Sequence, residues 1–168
     1  DPRLQKQIEN ARKAVDQNPT YAVDIMSNIL TRHPECLDAR KILRQAQQRV
    51  TDGKSKGLGG LISKLTSIPF SMGSDAKVKK DPAGALVSAE QMLNANASNV
   101  AAHKVVGAAA EALGLLETTA FAYEEIRKIE PANEENIKAL MSAYISIGKS
   151  EEAIRIGDAA YHEHPADD

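Results

Sequence analysis

Apolar residues return along this chain at helical spacing, in short segments separated by turn signals. Leu4, Ile8, Ala11 and Val15 stand at i, i+4, i+7 and i+11, which makes one stripe of an amphipathic helix. Asn18-Pro19 follows, an N-cap residue and a residue suited to the first helical position. A second helix is therefore predicted through Tyr21 and Ala22 to Arg32, stopped by His33-Pro34. Cys36 to Val50 predicts a third helix and Pro82 to Asn96 a further one, with residues 51–81, rich in Gly, Ser and Lys, between them. Beyond that the pattern is clearest. Asn99–Gly114 and Leu115–Glu130 read as two helices, the second stopped by Pro131. Glu134–Gly148 and Ser150–His164 read as two more, stopped by Pro165, with Ser150 as an N-cap.

The last four helices repeat. Gly114 and Gly148 lie 34 residues apart, as do Pro131 and Pro165. A helix pair recurring at 34 residues resembles the tetratricopeptide repeat, whose units stack to bury faces that none could bury alone. With the two prolines in register, Gly107 falls at the family's small position and Met141 at its equivalent in the next copy. Tyr123 falls at the late large position and Gly157 at its equivalent. Ala153 and Thr119 stand at the helix-approach position. Tyr144 and Ala110 share the aromatic position, and His103 and Ile137 replace the family's early Trp.

The N-terminal region reads as a weaker copy, with Ala22, Met26, Ile29 and Pro34 in the corresponding places. From Pro34 to Ala97, the equivalent of Pro131, is 63 residues, one period of 34 plus 29 more. The expected organisation is all-α, a right-handed superhelix of antiparallel helix pairs with a short helical insertion. The repeats fall at 1–34, 35–97 with an insertion at about 51–81, 98–131 and 132–168. In the second, the helix before the insertion pairs with the one after it, Ala85 being the close-packing residue. The rival organisation is two helical pieces, 1–50 and 82–168, joined by a linker.

Composition agrees with a helical protein. The chain has 168 residues, is 42% hydrophobic and only 4% aromatic, with no Trp. A net charge of −2 argues against a dedicated nucleic-acid binder. A single cysteine, Cys36, excludes an intrachain disulfide and fits a cytoplasmic or other reducing location. No apolar run is long enough to span a membrane. The chain starts at Asp1 rather than Met, the expectation for a fragment of a longer protein.

No residue pattern implies chemistry. Gly57 to Gly60 lacks phosphate-loop spacing, the four histidines are not arranged as metal ligands, and Cys36 has no activating partner beyond His33. No enzyme, cofactor or metal is expected. What the resemblance implies is a groove lined by the first helix of each repeat: Lys41, Gln45, Lys104, Ala108, Glu111, Lys138, Ser142 and Ile145. Lys41, Lys104 and Lys138 would form a cationic row that attracts an acidic peptide, or they are ordinary solvated side chains. Leu58, Leu61, Ile62, Leu65 and Ile68 form an apolar stripe within the insertion. It would dock on the repeats, contact a partner or a second copy, or lie on an anionic membrane. The expected function is a protein–protein interaction scaffold. The alternative is a self-association module, a homodimer formed through the insertion or through Ile154, Ala160 and Tyr161 on the last helix.

Overall fold

The computed structural model describes residues 2–55 and 74–163, and among these the fold is all-α. The insertion stripe Leu58, Leu61, Ile62, Leu65 and Ile68 lies outside the described residues. The helices are α1 (Pro2–Ala14), α2 (Pro19–Arg32), α3 (Leu37–Ser55), α4 (Ser74–Lys80), α5 (Pro82–Ala95), α6 (Val100–Ala112), α7 (Leu116–Ile129), α8 (Glu134–Ser146) and α9 (Ser150–Glu163).

Local sequence sets their ends. Asn18 and Asp81 cap α2 and α5 in the same way. Each side chain accepts from a backbone N–H three residues on, at Tyr21 and Gly84, and each is followed by Pro at the first helical position. Asn99 and Asn133 cap α6 and α8 through Ala102 N–H and Asn136 N–H. α6 and α8 then end on Gly114 and Gly148, at φ 73° and 76°, where the absence of Cβ allows the left-handed turn. In each turn the N–H two residues past the C-cap (Leu113, Ile147) reaches back: Leu115 N–H to Ala110 O and Lys149 N–H to Tyr144 O, both at 2.8 Å. The 34-residue interval is therefore a repeat of hydrogen bonds as well as of letters.

The two copies also solve one packing problem in opposite ways. A Cβ on Gly107 would lie 2.8 Å from Cε1 of Tyr123. A Cβ on Gly157 would lie 2.9 Å from Cε of Met141. Gly107 and Met141 are equivalent positions, and so are Tyr123 and Gly157. One copy packs small against large, the next large against small, and interior density is kept in both.

Consecutive helices pack as hairpins from α1 to α3 and again from α4 to α9. The first core is formed by α1, α2 and α3 around Ala11, Ala22, Met26, Ile42, Leu43 and Ala46. The second gathers Ala85, Leu86, Ala89, Leu93, Val105, Val106 and Ala109 from α5 and α6, with Ala122 of α7 and Val78 of α4 against it.

The junction of these cores departs from the expected organisation. Helix α3 continues to Ser55 rather than ending at Val50, and α4 occupies 74–80 inside the expected insertion. α4 pairs with α5, Lys77 Nζ donating to Ser88 Oγ at 2.6 Å. Helix α3 does meet α5, but not as an antiparallel mate. Arg40 reaches Glu90, Gln47 reaches Asn94, and Thr51 Oγ1 accepts from Ala97 N–H, so the contacts advance together along both helices. The reason lies in α3 itself. Its apolar face (Ala39, Ile42, Leu43, Ala46) is consumed by α1 and α2. What remains for α5 is the polar stripe Arg40, Arg44, Gln47.

Candidate functional site

The expected groove residues divide between the two cores. On α6 and α8 they come together. Lys104 Nζ donates to Glu135 Oε2 at 2.9 Å, tying α6 to the start of α8. Glu111 and Ser142 line one pocket of about 100 Å³, with Leu116, Thr119 and Tyr123 of α7 at its back. Ala108 is half-buried, Lys138 exposed, and Ile145 exposed to 60%. α7 supports this face. Thr119 Oγ1 bonds Gly107 O at 3.4 Å, Asn136 Nδ2 donates to Tyr123 O at 3.0 Å, and Tyr144 Oη donates to Glu124 Oε1 at 2.7 Å. Burial, then the nearby Glu111 and Glu135, pushes the Tyr123 phenol above its usual range. Burial and the Glu124 bond do the same to Tyr144. Tyr144 therefore stays protonated as the donor to Glu124.

Lys41 and Gln45 lie exposed on α3, which packs chiefly on α1, α2 and α5. Lys104 spends its charge on Glu135. The α6–α8 face is mixed: a carboxylate, a hydroxyl, an alkyl chain and the ammonium groups of Lys104 and Lys138.

The seam between the cores holds charge that the sequence reading did not single out. Arg44 Nη2 bonds both Glu90 oxygens, at 3.2 and 3.1 Å, while Arg40 Nη1 reaches Oε1 at 3.4 Å. Arg40 Nη2 also donates to Pro34 O at 2.9 Å. Arg44 Nη1 donates to Gln47 Oε1, and Gln47 Nε2 to Asn94 Oδ1 at 2.6 Å. Both guanidinium groups are buried, and desolvation lowers the pKa of Arg40. Behind the seam, His103 is fully buried and its Nε2–H donates to Ala97 O at 2.8 Å. Burial first, and then Arg44, lower its pKa to about 4, so the ring is neutral at neutral pH.

Beside the seam a cleft of about 550 Å³ opens between α2, α3 and α5. Leu30, Pro34, Leu43, Leu86, Val87 and Leu113 form its apolar walls, and Arg40 and Glu90 lie in its lining. The spacing of Arg40, Arg44 and Gln47 at i, i+4 and i+7, and of Glu90 and Asn94 at i and i+4, was the available signal. Such stripes ordinarily face water, and nothing in a single helix tells which will meet another. Among the described residues no cluster of three or more His, Cys, Asp or Glu is placed to hold a metal ion, and no helix is long and apolar enough to cross a membrane.

No family model, no curated protein and no solved structure matches this chain.

Proposed function

We propose that this is a non-catalytic protein–protein interaction module of tetratricopeptide type, whose stacked helix pairs hold a partner segment on the concave face lined by α6 and α8. The observation that carries the reading is the duplicated hairpin. Two helix pairs with the same caps and the same left-handed glycine stand 34 residues apart, and their first helices share a pocket at Glu111 and Ser142. Repetition of this kind makes an extended surface on rigid elements, which suits a peptide better than a small substrate. The mixed lining favours a segment that offers both hydrogen bonds and an apolar residue for Ile145.

A displayed peptide library panned against the whole chain tests this. Selected peptides should lose binding to Ala108→Arg and Ser142→Arg and keep it for substitutions on α1. Peptides indifferent to both α6–α8 changes would remove the assignment.

Self-association is the second reading, and one observation favours it. Ile154 and Tyr161 of α9 are 61% and 65% exposed, unusual for large apolar side chains on one helix. Sedimentation of the wild type and of Ile154→Glu, Tyr161→Glu would separate the readings, since a dimer abolished by these changes belongs to α9 alone.

A further inference from the structure

Two buried guanidinium groups share the Glu90 carboxylate, and Arg40 and Glu90 belong to the lining of the α2–α3–α5 cleft. Arg40 and Arg44 have side chains 1% and 5% exposed, and Glu90, 12% exposed, is the acid that both contact. A guanidinium does not give up its proton at accessible pH. The cluster therefore carries one more positive charge than Glu90 offsets. Its hydrogen bonding is also incomplete. Nε of Arg40 and Nε of Arg44 are buried and find no acceptor among the described residues. Arg40, the better buried of the two, is part of the cleft lining. Asp24 is another acid in that lining, but it is an exposed residue on α2.

The rest of the lining is mixed. Leu30, Pro34, Leu43, Leu86, Val87 and Leu113 are apolar, with Val87 and Leu113 remaining 46% and 37% exposed. Ser27, Asn28, Thr31, Gln91 and Asn94 are polar. The volume of about 550 Å³ lies within the range of small-molecule sites, roughly 300–1,000 Å³. Apolar side chains beside an under-neutralised guanidinium pair are complementary to a molecule with a hydrocarbon body and one anionic end. A carboxylate matches the fork of a guanidinium and accepts the hydrogen bonds it lacks.

We infer that this cleft binds an aliphatic carboxylate, its chain against Leu30, Leu86 and Val87 and its head group toward Arg40. The site is separate from the α6–α8 face and stands or falls independently of it.

Calorimetric titration of the whole chain with dodecanoate, dodecylammonium and dodecanol, each below its micelle concentration, tests the proposal. Dodecanoate should bind at least about tenfold more tightly than the other two. Arg40→Gln should erase that preference. Because Arg40 is buried and its loss could unfold the chain, the exposed wall position gives a second route. Val87→Asp should weaken dodecanoate about tenfold, and Val87→Lys should not, with circular dichroism unchanged in both. Equal affinity for the ammonium, a dodecanoate response indifferent to Val87→Asp, or binding only of acidic peptides with none of dodecanoate would each overturn it.

Discussion

Exchanging the partners of one packing contact tests whether the two 34-residue copies are the same object. In α6 and α7, Gly107 sits under the Tyr123 ring; in α8 and α9, Met141 sits over Gly157. Gly107→Met alone forces a Cβ to within 2.8 Å of the ring and adds a side chain where none fits. Overpacking of this kind costs about 1–3 kcal/mol, against which the better helix propensity of Met returns somewhat under 1 kcal/mol. Tyr123→Gly alone empties the space of a half-buried aromatic and puts glycine inside α7, a loss of about 3–5 kcal/mol. The double exchange recreates the Met–Gly arrangement that the chain already uses one repeat later. It should be more stable than the two single losses imply by at least about 2 kcal/mol, the range seen for directly contacting pairs. Urea unfolding followed by helical circular dichroism gives all three values, provided the slope with denaturant stays constant. If the losses simply add, the two contacts are not equivalent and the structural repeat is wrong at this point.

Other perturbations probe the caps and the seam. Gly114→Ala and Gly148→Ala place a Cβ at φ 73° and 76° and should each cost about 1–2 kcal/mol by thermal or urea unfolding, with similar values at the two sites. Unequal effects would break the equivalence of the turns. Glu90→Gln removes the carboxylate between Arg40 and Arg44 and should destabilise by about 3 kcal/mol or more, whereas a loss below 1 kcal/mol would mean that the seam is solvated. His103 has a folded pKa of about 4, below its unfolded value of 6.5, so the unfolded chain takes up the proton first as pH falls. Its contribution is present in full above pH 6.5 and is lost on going down to about pH 4, on the order of 3 kcal/mol. The stability difference between wild type and His103→Gln should shrink across that window, and a difference independent of pH would refute the assignment.

Much of the fold could be read from particular residues. Asn18-Pro19, Pro82, Gly114 and Gly148 mark helix ends because caps and left-handed turns are local chemistry, and the structure places the ends there. Met141 and Gly157 each depart from the repeat pattern when read singly. They are a compensating pair, which only contact could reveal. The relation of α3 to α5 was misread because their meeting faces are polar. Periodicity identifies a greasy stripe that must be covered, but it is silent on a charged stripe that happens to find its counter-charge fifty residues away. The α6–α8 half of the candidate face followed from the 34-residue register. Its extension to Lys41 and Gln45 rests on α3 continuing the same row, and both residues are exposed on that helix.

Mapping a selected peptide onto the backbone amides by nuclear magnetic resonance tests the binding reading most directly. Titrated into the labelled chain, such a peptide is expected to shift amides at 104–112 of α6 and 138–146 of α8, on one face, and to leave α1 and α9 unmoved. Shifts confined to α9, or spread without regard to those two helices, would contradict the proposal that the repeated helix pairs form the binding surface.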